Sequence, residues 1–189
     1  HCISQWGYDF RPPYLRIANL REQLPGVPVI ALTASATLDV QNDICEKLNF
    51  SGEQKRYQQS FARPNLSYSI FSPPSKQIKL VEVLKNVSGS SIVYCKSRRR
   101  TQSLAELLIQ NNISAEYYHA GLTGEQRNTR QEEWINNKTR VIVSTNAFGM
   151  GIDKPDVRTV IHFDMPDCLE NYYQEAGRAG RDGKKAYSV

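Results

Sequence analysis

Short apolar runs recur along the chain, separated by stretches whose apolar residues follow helical spacing. Five of these runs suit buried strands: residues 29–32, 91–95, 115–118, 141–144 and 158–163. Continuous apolar strands are typical of a parallel sheet, because helices cover both of its faces. The alternation of strands and helices therefore predicts an α/β fold in which helices flank a parallel sheet.

Three helix starts carry capping signals. Ser97 is placed to cap the helix that follows the run at residues 91–95. Two further starts have the spacing of a capping box, in which a first residue caps the helix and a second reaches back to it. The pairs are Thr123 with Gln126, and Asp167 with Glu170. We expect a helix to begin at each of the three positions.

A change in composition divides the chain. Residues 62–76 contain three prolines and several serines between two better patterned regions, which is typical of a connection between domains. We therefore predict one domain over residues 1–62 and a second over residues 63–189. The first holds one clear strand and one clear helix, so we expect a truncated lobe. The second holds four or five strand candidates, so we expect a nearly complete one.

Charge and cysteine spacing narrow the class of protein. The chain carries 24 basic and 19 acidic residues, a net charge of +5, which favours a polyanionic partner. Its four cysteines are far apart and form no CxxC pair, so we expect neither a zinc site nor a disulfide framework. No apolar run approaches the ~18 residues of a membrane span. We expect a protein of the cytosol or nucleus that works away from membranes.

The strongest chemical signal is the segment of residues 174–183, QEAGRAGRDG. Arg178 and Arg181 stand three apart among glycines that let the backbone bend, so we expect both guanidiniums to project together. Such permanently charged, planar groups suit the oxygens of a transferring phosphoryl group. An isolated RxxR is more often a solvated loop. This segment, however, resembles motif VI of the RecQ family of DNA helicases, which implies arginine fingers acting on ATP, with Gln174 also near the nucleotide.

A second segment, residues 144–158 with the sequence STNAFGMGIDKPDVR, follows a strand. Open α/β sheets place their ligands at this end of a strand. The segment resembles motif V of the same family. The resemblance implies that Gly151 and Asp153 lie at the nucleotide and that Thr145 lies at the nucleic-acid backbone. The chemistry is suitable, because a carboxylate accepts a hydrogen bond from a ribose hydroxyl and a threonine hydroxyl donates to phosphate. Taken alone, Asp153 would fit an ordinary turn.

A third segment, residues 92–101 with the sequence IVYCKSRRRT, ends a strand and opens a helix. It resembles motif IV of the family. Backbone amides at a helix start can hold a phosphate, and Ser97 and Arg98 would add side-chain contacts. Three consecutive arginines point in different directions around a helix, so we select Arg98. Residues 118–127, YHAGLTGEQR, form another family block, in which His119 is either structural or a contact to nucleic acid.

The first predicted domain carries two further blocks. Residues 33–37, TASAT, resemble motif III, which in this family couples the nucleotide site to nucleic acid through Thr33 and Ser35. The ordinary interpretation of such a string is a helix N-cap, which Thr37 fits.

Residues 4–14, SQWGYDFRPPY, combine aromatic and basic side chains. Trp6 and Phe10 offer flat faces for stacking bases, and Arg11 offers a phosphate or cation–π contact. The stretch resembles the aromatic-rich loop of RecQ proteins, which related RNA helicases lack. His1 then falls where the family's DExH motif ends, which implies a part in catalysis.

The blocks follow the family's order along the whole chain. The resemblance implies RecA-like lobes of an ATP-dependent helicase that moves 3′ to 5′ along single-stranded DNA and unwinds forked duplexes. ATP with Mg²⁺ is the implied cofactor, and a monomer in the bacterial cytoplasm or the nucleus is expected. The chain has no G-x-x-x-x-G-K-[ST] loop, so we expect residues upstream of His1 to grip ATP and this chain alone to be inactive. Two alternatives stay open: a non-catalytic module that binds single strands, and an RNA helicase of the same superfamily.

Overall fold

The computed structural model describes residues 2–5, 12–34, 36–50, 54–149 and 151–189. The chain divides into two compact units, His1–Phe61 and Ala62–Val189. The division falls at the start of the proline-rich stretch, one residue before the predicted boundary. The interpretation of the two units as helicase lobes stays a prediction.

The second unit is built on a six-stranded parallel sheet, with strand order β1-β6-β5-β2-β4-β3. Its strands are β1 (Leu66–Tyr68), β2 (Ser90–Tyr94), β3 (Ala115–Tyr118), β4 (Val141–Ser144), β5 (Val157–His162) and β6 (Ala186–Ser188). Its helices are α4 (Lys76–Asn86), α5 (Arg98–Gln110), α6 (Gly124–Ile135) and α7 (Leu169–Ala176). The predicted α/β class is therefore confirmed. Within the described part of the chain, no helix is long and apolar enough to cross a membrane.

Both faces of the sheet are buried, and the alternation along β2 shows how. Ile92 packs into a core that includes Trp134 of α6. Its neighbour Val93 packs into the opposite core with Leu84 of α4 and Leu108 of α5. Successive residues of a strand point to opposite faces, so a strand covered on both sides is apolar at most of its positions. This is why the central strands contain short apolar runs, with buried serines and a threonine beside them.

The signals for strands and caps in this unit are largely confirmed. Strands β3 and β4 have the predicted bounds, and β2 and β5 each lie one residue earlier than predicted. The capping box of α6 is formed, because Thr123 Oγ1 accepts the Gln126 N–H at 3.2 Å and Gln126 Oε1 accepts the Thr123 N–H at 3.1 Å. Ser97 caps α5 as expected.

The predicted capping box of Asp167 and Glu170 is wrong. Helix α7 is capped by the next residue, Cys168, whose side chain makes no capping hydrogen bond. The Asp167 carboxylate instead lies 2.6 Å from Lys96 Nζ. Because the helix begins one residue later than predicted, Asp167 precedes the N-cap and Glu170 becomes an acidic residue of the first turn.

The regular secondary structure among the described residues of the first unit is helical: α1 (Cys2–Gln5), a 3-10 helix (Pro12–Ala18), α2 (Asn19–Gln23) and α3 (Leu38–Lys47). Its small core contains Ile44 and Leu48. The strand predicted at residues 29–32 is wrong, because Ile30 and Leu32 are 80% and 89% exposed and belong to no strand. A strand needs a neighbour for its backbone hydrogen bonds, and the described residues of this unit contain no other strand.

Candidate functional site

A glycine-rich turn follows α7 and leads into β6. We call residues 177–184 the arginine loop, since it carries Arg178 and Arg181. Gly180 has a φ of 63°, in the left-handed region that other residues rarely adopt. A Cβ at this position would also lie 2.6 Å from Asn65 Nδ2. Glycine is therefore required for both conformation and space.

Arg178 is half-buried and fastened to the segment that resembles motif V. Its Nη1 donates a hydrogen bond to the Gly149 carbonyl, and a Cβ on Gly149 would overlap the guanidinium. Tyr94 adjoins this contact, because its hydroxyl donates to the Phe148 carbonyl at 3.0 Å and also interacts with Arg178. Burial raises the pKa of Tyr94, so the hydroxyl stays protonated as a donor. Arg178 thus ties two segments of the site together.

Arg181 lies in a different environment. Its Nη1 is 2.7 Å from Asp153 Oδ1 and 3.4 Å from the Ile152 carbonyl oxygen. The Asp153 side chain is 81% exposed, and a surface ion pair of this kind contributes about 0–1 kcal/mol. The expectation that both guanidiniums project together is therefore wrong: Arg178 faces into the protein and Arg181 faces its surface, because the backbone turns between them.

The other residues assigned to the nucleotide lie around this pair. Gly151 is exposed, has a φ of 79°, and has open space where a side chain would begin. Gln174 is half-buried on α7, the helix that leads into the arginine loop. The structure therefore brings Asp153 and Arg181 into contact and leaves the surface at Gly151 open.

A second group of predicted site residues lies at the carboxyl ends of β2, β3 and β4. Ser97 and Arg98 follow β2, His119 follows β3, and Thr145 follows β4. Arg98 and His119 both approach Gly121, since a Cβ there would lie 3.1 Å from Arg98 Nη1 and 3.2 Å from His119 Nδ1. Burial, with the nearby Arg98 charge, lowers the pKa of His119. The exposed Arg98 guanidinium beside a neutral histidine is suited to a phosphate.

Asp164 explains why the arginines at the start of α5 are not equivalent. The Arg100 guanidinium donates to both Asp164 carboxylate oxygens at 2.7 and 2.8 Å, and the Lys96 backbone N–H donates at 3.0 Å. Burial raises the pKa of Asp164, but these hydrogen bonds hold it below its ordinary value. Arg100 is therefore engaged within the protein. Asp164 was missed from sequence, although an aspartate directly after a buried strand is a usable signal.

Arg63 and Asn65 were also missed from sequence, because they lie in the stretch expected to be a connection. The Arg63 guanidinium donates to the carbonyls of Ala179 and Gly180 at 3.0 and 2.9 Å. Asn65 Nδ2 donates to the Gly180 carbonyl at 2.7 Å. Both residues stand immediately before β1, so they are part of the sheet-bearing unit and hold the arginine loop.

Several predicted site residues lie outside the described residues: His1, Trp6, Phe10, Arg11 and Ser35. Their roles stay predictions. Thr33 is described and exposed, and its coupling role is likewise a prediction. Among the described residues, no group of three or more His, Cys, Asp or Glu side chains could hold a metal ion.

Comparison with known families decides the assignment of the sheet-bearing unit. The family described as "Helicase conserved C-terminal domain" matches residues 75–183, more than half of the chain. The chain belongs to this helicase family. The matched part of the helicase domain runs from the start of α4 to the arginine loop. It includes Arg98, Thr145, Asp153 and both arginines, but not Arg63 or Asn65.

Curated relatives confirm the resemblance to RecQ proteins. The RecQ-like DNA helicase blm-1 of Caenorhabditis elegans is 47% identical over 194 residues, covering 100% of this chain and 20% of the relative. The ATP-dependent DNA helicase RecQ of Haemophilus influenzae is 44% identical over 192 residues, covering 100% of this chain and 30% of the relative. The helicase chain thus spans less than a third of the length of these relatives.

A solved structure confirms the fold. The crystal structure of the Escherichia coli DEAD-box protein SrmB, bound to regulator of ribonuclease activity A, is 30% identical. It superposes with a TM-score of 0.59 over 66% of this chain and 74% of that one. The parallel sheet and its flanking helices are therefore those of a RecA-like helicase domain.

Proposed function

We propose that this chain is part of an ATP-dependent DNA helicase motor that moves 3′ to 5′ along single-stranded DNA and unwinds forked duplexes. The whole-chain similarity to RecQ-like DNA helicases supports the substrate. The observation that carries the proposal is the exposed Arg181 guanidinium, oriented by Asp153 on a loop whose other arginine is half-buried and bonded within the protein. We propose that the motor acts in the compartment that contains the genomic DNA, which is the cytoplasm in bacteria and the nucleus in eukaryotes.

The residues on this surface fit a nucleotide. When bound, ATP with its Mg²⁺ would supply the phosphoanhydride whose hydrolysis drives the motor. The Asp153 carboxylate can accept a hydrogen bond from a ribose hydroxyl. Because its surface ion pair is weak, Arg181 can exchange that carboxylate for a phosphoryl oxygen, a stronger charge-assisted partner. Arg178 keeps its carbonyl partner and holds the two segments in place.

The carboxyl ends of β2 and β4 are proposed to bind the DNA backbone. The exposed Arg98 guanidinium would pair with a phosphate, and the N-terminus of α5 presents amides to an anion. The Thr145 hydroxyl can donate to a second phosphate. These contacts use the backbone and not the bases, as movement along any sequence requires.

The first prediction concerns Arg181 in a complete helicase polypeptide that carries this chain. Arg181→Ala should reduce the rate of DNA-stimulated ATP hydrolysis about a thousandfold, because an arginine finger acts on charge that develops in the transition state. Nucleotide affinity should change little. Hydrolysis is measured by phosphate release, and affinity by titration of a fluorescent ATP analogue.

Lys184→Ala is the matched control, because it removes an exposed positive charge from the same loop and should leave hydrolysis unchanged. If Arg181→Ala hydrolyses ATP at the parental rate, Arg181 is not an arginine finger. Single-stranded DNA and RNA of one sequence should be compared as stimulators. Stronger stimulation by RNA would favour an RNA helicase, and strand binding without any hydrolysis in the complete polypeptide would favour a binding module.

A further inference from the structure

The carbonyl groups of the arginine loop are held by side chains from a distant part of the chain. Arg63 donates to the carbonyls of Ala179 and Gly180 at 3.0 and 2.9 Å, with a longer contact of 3.4 Å to Gly177. Asn65 Nδ2 donates to the carbonyls of Gly180 and Lys184 at 2.7 and 2.9 Å. We call Arg63 and Asn65 the loop clamp.

The clamp supplies hydrogen-bond donors to loop carbonyls that have no partner within α7. Carbonyls at and beyond a helix C-terminus have no intrahelical partner, and the helix dipole makes this end negative. The guanidinium of Arg63 supplies both hydrogen-bond donors and positive charge at the end of α7. The Asn65 amide comes so close to Gly180 that a Cβ there would lie 2.6 Å from it. Loop and clamp therefore fit one another closely.

The opposite edge of the loop is held by β5 and the residues before it. The Gly180 N–H donates to the Val157 carbonyl at 2.8 Å, and the Asp182 N–H donates to the Pro155 carbonyl at 3.1 Å. The loop backbone is thus bonded through its amides on one side and through its carbonyls on the other. The Arg181 side chain extends from this fixed backbone to the surface, so its position depends on the backbone.

The clamp also has a particular place in the chain. Arg63 comes two residues after Phe61, the last residue of the first unit. It precedes the start of the family match at residue 75. The first residues of the sheet-bearing unit are therefore bonded directly to the loop that carries Arg181.

From these contacts we infer that Arg63 and Asn65 are positioning residues for Arg181, acting from outside the matched helicase domain. This inference rests on the proposed function of Arg181. A group that stabilises a transition state must be held in place before the reaction, and a displacement of about 1 Å can lower a rate about a hundredfold. The clamp supplies that fixed position, so its loss should lower turnover while leaving the substrate affinity in place.

Arg140 provides the matched control. Its guanidinium also donates to three backbone carbonyls at and beyond the C-terminus of α4, those of Leu84, Val87 and Gly89. These contacts are remote in sequence from the arginine loop and involve none of its residues. Arg140→Ala therefore removes the same kind of interaction and tests for a general loss of stability.

The first measurement uses hydrogen exchange of backbone amides in the 189-residue chain. In Arg63→Ala, exchange at Gly180 and Asp182 should accelerate about tenfold or more, with the amides of β2 and β4 unchanged. Arg140→Ala should leave these two amides at the parental rate.

Parental exchange rates in Arg63→Ala would overturn the clamp. If Arg63→Ala accelerates exchange throughout the sheet, Asn65→Ala is the deciding variant: it must loosen the same two amides selectively, and parental exchange there would overturn the clamp.

The second measurement is ATP hydrolysis by the complete helicase polypeptide. Arg63→Ala should lower kcat about ten- to a hundredfold with an unchanged KM for ATP, and Arg63→Lys, which keeps the charge but not the planar fork, should recover part of the loss. A parental kcat with a loosened loop would overturn the positioning role. Absence of hydrolysis in the parent would instead overturn the proposed function, and the exchange result would still decide whether the clamp exists.

Discussion

Two arginines three positions apart have different environments in this helicase domain. Arg178 donates to a backbone carbonyl inside the turn, whereas Arg181 pairs with an exposed carboxylate. Their residue type and spacing indicate phosphate chemistry for both. The backbone between them decides which one reaches the surface, and that backbone depends on Gly180, which is left-handed and in close contact with Asn65.

The requirement for glycine can be measured by comparing Gly180→Ala with Gly183→Ala. Both positions have positive φ, of 63° and 79°, so alanine should cost about 1–2 kcal/mol of unfolding free energy at either. Gly183 has open space for a Cβ, whereas Gly180 does not. Gly180→Ala should therefore lose at least about 1 kcal/mol more.

Urea unfolding of the two variants measures this difference. Equal losses would mean that Asn65, Ala186 and the Lys184 carbonyl all give way without cost and that the close packing at Gly180 is unimportant.

The secondary-structure elements show where local patterns suffice and where they do not. Strands β3 and β4 have the predicted bounds. Strand β4 is buried at every residue and is largely apolar for that reason, whereas β3 lies at the sheet edge and includes the half-buried Glu116. The similar run at residues 29–32 forms no strand, because the described residues of the first unit offer it no partner. Strand β1 was missed, because its three residues lie among prolines and serines and pair with β6 from the far end of the chain.

Helix α7 offers a stability prediction, since it carries the arginine loop at its end. Its N-cap residue, Cys168, has an extended backbone but makes no capping hydrogen bond. Cys168→Ser would place a better acceptor at this position, so unfolding should require about 0.5–1 kcal/mol more. Thr123→Ala is the opposite comparison, because it removes the formed capping box of α6 and should cost about 1 kcal/mol.

Thermal and urea unfolding of both variants measure these changes. A Cys168→Ser chain no more stable than the parent would show that the backbone at the start of α7 cannot accept a side-chain cap.

At the scale of the whole molecule, the sheet-bearing unit shows which basic side chains of this positively charged chain are paired with carboxylates. Lys96 and Arg100 are paired with Asp167 and Asp164, so these charges are neutralised within the protein. The exposed Arg98 lies between them in sequence, beside His119. The net charge alone indicates a polyanion, and the pairing of Lys96 and Arg100 leaves Arg98 and Arg99 as the exposed arginines at the start of α5 that would meet it.

A motor also requires communication between strand and nucleotide, for which Trp6 is the proposed sensor. In the complete helicase polypeptide, Trp6→Ala should weaken single-strand binding about ten- to a hundredfold, because stacking contributes about 1–3 kcal/mol per base. A sensor role further predicts a lower maximal ATPase rate at saturating DNA. Tyr57→Ala, which removes an 89% exposed aromatic ring, is the control and should leave both quantities unchanged.

The maximal rate separates three outcomes. If Trp6→Ala reaches the parental maximal ATPase rate but requires more DNA to do so, Trp6 binds DNA and is not a sensor. A lower melting temperature with a parental rate and affinity would instead make Trp6 a packing residue.

The sequence by itself determined the α/β class, the central strands, three of the four predicted caps, including Thr37 at the start of α3, and the family blocks, because each depends on neighbouring residues. Burial on two faces makes a strand apolar, and a capping box spans four positions. Only the tertiary structure decided which arginine is exposed and what holds its loop. Arg63 and Gly180 are 117 positions apart, and a side chain that bonds to distant backbone carbonyls leaves no local pattern, since every residue type carries a carbonyl.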